Sequence, residues 1–161
     1  MTRNVAKLVR LPTPERAETR VLSVDEGRTL LRGAQPDRLF AALVLLMVLG
    51  LRRSEVLGLR WSDVDLERGE LRICQGLHYV GRKLQFLPPK TRRSRRTVPL
   101  PGLCSAALVE HRRLQDLERG RSPHPWSDSE LVFVSVVGTP VDPRPSRTAS
   151  AGCVTSLVSR G

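Results

Sequence analysis

The sequence predicts an α+β domain in which several helices pack against a small antiparallel sheet of three strands. Apolar residues make up 40% of the 161 residues, which is enough for one hydrophobic core. Capping signals and a long apolar run predict helices between residues 23 and 59, and apolar positions alternate between residues 71 and 100. A second helical stretch follows the alternating part, so helices should flank the sheet.

The first two helices have recognisable ends. Ser23 precedes Glu26 by three positions, a capping-box pattern that begins a helix, and Gly33 is expected to end it. Pro36 suits the first turn of a second helix, which continues to about Leu49. This second helix is apolar on nearly every side, so we expect other elements to enclose it.

Three short strands are predicted over residues 71–74, 84–86 and 98–100. Gly81 can supply the turn between the first two strands, and a basic run separates the second from the third. The remaining predicted elements are a short helix over residues 53–59, a longer helix from Pro101 to about Arg119, and an extended piece over residues 131–134.

The charge balance points to a polyanion partner. Lys and Arg number 27 against 16 Asp and Glu, which gives a net charge of +11. Nucleic acid is the commonest such partner for a basic domain, and a membrane surface or a ribosomal setting is the alternative. The apolar run 39–51 is too short to cross a membrane, which needs about 20 residues.

The cysteines Cys74, Cys104 and Cys153 are far apart and show neither metal-ligand nor disulfide spacing. The N-terminus has no apolar signal core. We therefore expect a cytoplasmic protein that holds no metal and does not enter a membrane.

Two motifs carry most of the functional information. The sequence Gly-Leu-Arg-Arg-Ser-Glu at residues 50–55 places Arg52 and Glu55 on one face of a helix, where the carboxylate can orient the guanidinium. The sequence Lys-Thr-Arg-Arg-Ser-Arg-Arg at residues 90–96 puts five cations between two predicted strands. Alone, the first motif is usually a surface ion pair and the second a solvated basic loop. Together they indicate a site that handles phosphate.

These motifs, with Leu-Arg-Trp-Ser-Asp-Val-Asp at residues 59–65 between them, resemble the tyrosine recombinases of the phage integrase family. The resemblance covers roughly residues 21–144 and corresponds to the N-terminal half of the catalytic domain. In that family a tyrosine attacks a DNA phosphodiester, forming a 3′-phosphotyrosine and releasing a 5′-hydroxyl without a metal or nucleotide cofactor. Cationic donors stabilise the charge of the transition state, each by roughly 3–4 kcal/mol.

The resemblance also implies roles for individual residues. Arg52 corresponds to the first catalytic arginine, and Lys90 to the lysine that protonates the departing oxygen. Glu55 is expected to hold the helix and Arg52 in place. The remaining cations of the two motifs are expected to bind DNA phosphates: Arg53, Arg92, Arg93, Arg95 and Arg96.

The sequence departs from the family pattern in its second half. It contains no His-x-x-Arg motif, and its one tyrosine, Tyr79, precedes the place of the family's nucleophile and is expected to be a sheet or surface aromatic. We expect residues 1–22 to be a linker or the remnant of a lost DNA-binding domain, 23–144 a partial recombinase catalytic domain, and 145–161 a disordered tail outside the family.

The sequence therefore predicts a truncated, DNA-binding fragment of a site-specific recombinase from a mobile element, inactive as an enzyme by itself. Its partners would be double-stranded DNA and other recombinase subunits, with no cofactor and no small-molecule substrate. A non-catalytic DNA-binding module or regulator is the main alternative, and an RNA- or ribosome-associated basic protein is a third.

Overall fold

A computed structural model describes residues 21–89, 95–123, 125–127 and 130–144. The helices in these ranges are α1 (Val24–Ala34), α2 (Phe40–Leu49), α3 (Arg53–Leu57) and α4 (Gly102–Arg121), with a 3-10 turn at Trp61–Asp63. The strands are β1 (Val64–Asp65), β2 (Glu70–Ile73), β3 (Gly76–Val80), β4 (Lys83–Leu87) and β5 (Arg96–Pro99). The predicted α+β class is confirmed.

The strands form two separate antiparallel sheets. One has the order β1-β2-β5, and the other is the hairpin β3-β4. The prediction of one sheet that includes residues 84–86 is therefore wrong, because those residues pair with β3 instead. Gly81 (φ 56°) and Arg82 (φ 67°) form a two-residue turn with positive φ at both positions, which favours a tight hairpin. The chain thus folds back on itself before it returns to the main sheet at β5.

Helix α1 begins as expected, with Ser23 Oγ accepting a hydrogen bond from the backbone N–H of Glu26 at 3.2 Å. It ends at Ala34, one residue after Gly33. Helix α2 starts at Phe40 and not at Pro36, since residues 35–39 form turns instead. There Asp37 accepts a hydrogen bond from the backbone N–H of Leu39 at 2.7 Å, an alternative to helix that aspartate commonly offers.

The other elements lie close to their predicted positions. Helix α3 ends at Leu57, two residues earlier than expected, and α4 covers the predicted helix and continues to Arg121. Residues 131–134 are buried, and single bridges join Leu131 to Arg60 and Val134 to Pro140.

The core lies around the first half of α2. Residues 41–45 are buried, and the helix packs against α1, α3 and α4. The second half is less covered, since Val48 is 41% exposed, so enclosure of this helix is only partial. None of the helices in the described part of the chain is long and apolar enough to cross a membrane.

Arg38 connects the turn before α2 to α4 and to the segment after residue 130. It lies in the turn before α2, and its guanidinium binds the Glu118 carboxylate of α4 at 2.6 and 2.7 Å. The same group donates to the backbone oxygen of Ser135 at 3.1 Å. This partly buried contact holds the segment after residue 130 against α2 and α4.

Candidate nucleic-acid interface

Arg52 lies at the residue just before α3, where the chain leaves a left-handed Gly50 (φ 60°). Its backbone N–H donates to Glu55 Oε2 at 3.0 Å, and its Nη1 lies 3.5 Å from Glu55 Oε1. The Arg52 side chain is 76% exposed, whereas that of Glu55 is 6% exposed. A buried carboxylate therefore anchors the backbone of Arg52 while the guanidinium extends into solvent.

Glu55 is also bound by Arg96, the first residue of β5. Arg96 Nη1 donates to Oε1 at 3.1 Å and Nη2 to Oε2 at 3.0 Å, the two-bonded geometry that suits a guanidinium and a carboxylate. The Arg96 side chain is 35% exposed. The start of β5 and the start of α3 are thus joined through one carboxylate.

The environment of Glu55 keeps its carboxylate ionised. Burial by itself raises the pKa of the Glu55 carboxyl, but the hydrogen bonds from Arg96 and from the Arg52 backbone outweigh burial, and the net pKa is below its usual value. At neutral pH the cluster of Arg52, Glu55 and Arg96 therefore carries two positive charges and one negative charge. The excess positive charge is on the solvent side, because Arg52 is the most exposed of the three.

The other predicted site residues lie in two groups. Lys90, Arg92 and Arg93 fall outside the described residues. Arg95 is exposed immediately before β5, and Arg53 is exposed at the first position of α3. Of the predicted residues, the structure brings together Arg52, Glu55 and Arg96 in direct contact.

Two glycines set the hairpin against α3. A Cβ at Gly58, directly after α3, would lie 2.9 Å from the Gly76 Cα and 2.9 Å from the Leu77 nitrogen. Only glycine allows this approach of two backbones. The hairpin therefore lies directly beside the helix that carries the motif arginines.

This contact forms a cleft that the sequence did not predict. Arg53 and Ser54 of α3 line one side, and His78 and Tyr79 of β3 line another. Arg144 closes the third side, with its guanidinium carbon 3.6 Å from the Tyr79 ring centroid. Arg144 is far from Tyr79 in the chain, and no motif connects the two residues, so nothing in the sequence indicated this contact. Tyr79 is a partly exposed strand aromatic, as expected.

A second cluster supports α4 against the segment 131–134. Trp61 Nε1 donates to Gln115 Oε1 at 2.7 Å, and Gln115 Nε2 donates to the Val132 oxygen at 3.1 Å. His111 Nε2 also lies 2.8 Å from that oxygen. Burial lowers the pKa of His111, so its ring is neutral at pH 7 and Nε2 can donate. No group of three His, Cys, Asp or Glu side chains in the described residues could hold a metal ion.

Comparison with known proteins decides the family. The model of the phage integrase family matches residues 20–155. The chain belongs to the phage integrase family. The matched range extends past residue 144, where the predicted catalytic domain ends.

Curated integrases and recombinases are similar over most of the chain. A protein named "Tyrosine recombinase XerC-like" from Caldanaerobacter subterraneus subsp. tengcongensis is 33% identical over 151 residues, which cover 84% of this chain and 39% of that protein. An integrase from Streptomyces ambofaciens is 31% identical over 144 residues, covering 87% of this chain and 37% of the relative. The chain therefore spans about two fifths of the length of these relatives.

Solved structures show the same fold. The Tn1549 transposon integrase in complex with transposon right end DNA matches with a TM-score of 0.64 and 23% identity, over 86% of this chain and 44% of that chain. XerA recombinase matches with a TM-score of 0.57 and 24% identity, over 83% of this chain and 40% of that chain. The α+β arrangement described above is therefore an integrase fold.

Proposed function

We propose that this chain is a DNA-binding part of a site-specific tyrosine recombinase that acts in DNA recombination and integration. The observation that carries the proposal is the exposed Arg52 guanidinium, anchored on a buried Glu55 that Arg96 also binds. This contact joins one residue of the second motif, Arg96 at the start of β5, to Glu55 of the first motif. The curated relatives, named as recombinases and integrases, support the same class of activity.

In this proposal Arg52 binds the non-bridging oxygens of the phosphate at the cleavage point. Because Glu55 fixes the backbone of Arg52, the guanidinium needs little reorganisation when negative charge accumulates on those oxygens. Lys90 protonates the departing 5′-oxygen. That assignment comes from its place in the second motif, since Lys90 lies outside the described residues.

The remaining cations divide into two roles. Arg53, Arg92, Arg93 and Arg95 contact the DNA backbone and supply salt-dependent affinity that is independent of sequence. Arg96 holds Glu55 and thereby α3, because both of its Nη atoms are bonded to that carboxylate.

We expect this polypeptide by itself to bind DNA without cleaving it. Its one tyrosine, Tyr79, is in β3 with Arg144 against its ring, and the 161 residues contain no His-x-x-Arg motif. Covalent strand cleavage needs a nucleophile aligned with the phosphate. Relaxation of supercoiled plasmid, or a covalent adduct between Tyr79 and DNA, would contradict this expectation.

Fluorescence anisotropy with a labelled duplex tests the binding. The dissociation constant should rise steeply with salt, and Arg52→Ala should flatten the log–log slope by about 0.9, the value for one lost phosphate contact. Arg113→Ala is the matched control, since Arg113 is an exposed arginine of α4 paired with Glu110. Affinity that does not depend on salt would reject the proposal. An unchanged slope for Arg52→Ala alone would favour the alternative of a non-catalytic DNA-binding module.

A further inference from the structure

We infer that the cleft between α3, β3 and residues 143–144 is a second backbone-phosphate site, which binds the DNA strand beside the phosphate at Arg52. The inference rests on the proposed DNA binding and adds Tyr79 and Arg144, which lie in neither basic motif, to Arg53 and Ser54 of the first motif. The cleft has a volume of about 410 Å³. Its lining in the described chain includes no carboxylate and consists of Arg53, Ser54, Leu77, His78, Tyr79, Pro143 and Arg144.

Arg144 is held in one orientation before any ligand binds. Its guanidinium lies on the Tyr79 ring at 3.6 Å, and Asp142 accepts from Nε at 3.1 Å and from Nη2 at 2.6 Å. These bonds leave the Nη1 side of the guanidinium outside the ion pair. A planar donor fixed in this way loses little side-chain entropy when it binds a phosphate.

Arg53 adds a second guanidinium without a carboxylate partner in the described chain. Because Asp142 offsets the charge of Arg144, the net positive charge of the site comes mainly from Arg53. The hydroxyls of Ser54 and Tyr79 can supply further donors to phosphate oxygens.

The place of the cleft fits one DNA strand. Arg52 and Arg53 are consecutive, so their Cα atoms are about 3.8 Å apart. One is anchored over Glu55, and the other lines the cleft beside β3. Because these adjacent arginines lie at different places on the surface, their guanidiniums can bind neighbouring phosphates of a single strand.

The test compares the salt dependence of duplex binding for the whole chain and its variants. Arg53→Ala alone should flatten the log–log slope by about 0.9, the value for one phosphate contact, and adding Arg144→Ala should flatten it further. The control combines Arg28→Ala with Arg113→Ala, which removes two exposed arginines of α1 and α4 that each have an acidic partner within their own helix. That control should leave the slope close to wild type.

A second pair of variants distinguishes the loss of the cleft site from a general loss of positive charge. Tyr79→Leu removes the ring under Arg144 at constant charge and should weaken binding, whereas Tyr79→Phe keeps the ring and should bind more tightly than Tyr79→Leu. If wild type binds and the double variant has the slope of Arg53→Ala alone, the cleft is not a second phosphate site, while the proposed function stands. If wild type itself does not bind, the proposed function fails and the cleft inference fails with it.

Discussion

The Arg96 guanidinium binds both carboxylate oxygens of Glu55, which lies 41 positions earlier in the chain. This ion pair joins the first residue of β5 to the third residue of α3. The same carboxylate accepts a hydrogen bond from the backbone of Arg52. The position of Arg52 therefore depends on a residue of the other basic motif.

Neighbouring arginines should behave differently when replaced by alanine. Arg96→Ala leaves the buried Glu55 without its strongest partner and should lower the free energy of unfolding by about 1–3 kcal/mol. Arg95→Ala removes an exposed side chain and should leave stability unchanged while weakening salt-dependent DNA binding. Urea unfolding and duplex anisotropy on both variants check this. Equal stability of the two variants would show that the Glu55 contact does not hold β5 to α3.

Glu55→Gln should destabilise the chain at neutral pH, because both guanidiniums lose their buried counter-charge. The folded-state pKa of Glu55 is below its usual 4.5. As the pH falls through 4.5, the unfolded chain therefore binds a proton at Glu55 before the folded chain does. The stability that the ionised carboxylate contributes is lost progressively until the pH is below the folded-state pKa. Unfolding measured between pH 7 and 3 should show a larger loss of stability for wild type than for Glu55→Gln. Parallel curves would contradict the ionised state of this carboxyl.

His111 should make the chain sensitive to pH in a higher range. Its folded-state pKa lies below 6.5 because the ring is buried, so the unfolded chain binds the proton first as the pH falls through that value. Stability should therefore be greatest above pH 6.5 and fall below it, by at most about 1.4 kcal/mol per pH unit.

His111→Leu should remove the loss of stability that His111 causes as the pH falls below 6.5. Gln115 would still donate to the Val132 oxygen, so the variant does not leave this buried acceptor unsatisfied. Thermal unfolding of both proteins at pH 7.5, 6.5 and 5.5 gives the comparison. A slope in His111→Leu as steep as that of wild type would assign the pH dependence to other groups.

Local patterns predicted the helices well because their signals lie within a few residues. The Ser23–Glu26 pattern gives the start of α1, and Pro101 gives the start of α4. The grouping of strands was wrong, since alternation along 84–86 does not reveal the partner strand, and the turn at Gly81 closes a separate hairpin.

The site was predictable to the extent that it is local. The spacing of three residues predicts a contact between Arg52 and Glu55. It does not predict that Arg52 precedes α3 in an extended conformation, where Glu55 accepts a hydrogen bond from its backbone N–H. The contacts of Arg96 with Glu55 and of Arg144 with Tyr79 depend on how distant segments pack, and residue types alone do not specify that packing.

The approach of Gly58 to Gly76 should make Gly58→Ala strongly destabilising. The added methyl would lie 2.9 Å from the Gly76 Cα and the Leu77 nitrogen, which are backbone atoms that cannot rotate away. Relieving this contact requires the hairpin to move from α3, at a cost of about 1–3 kcal/mol. Because α3 carries Arg53 and the hairpin carries Tyr79, the same movement should weaken duplex binding at low salt.

Gly33→Ala is the matched control for the glycine substitution. Gly33 lies inside α1, and a Cβ there meets nothing within 4 Å. Alanine at this helical position should stabilise the chain by about 0.5–1 kcal/mol and leave DNA binding unchanged. If Gly58→Ala matched this control in both urea unfolding and duplex affinity, the hairpin would not be packed against α3 in solution, and the cleft formed by that packing would lose its support.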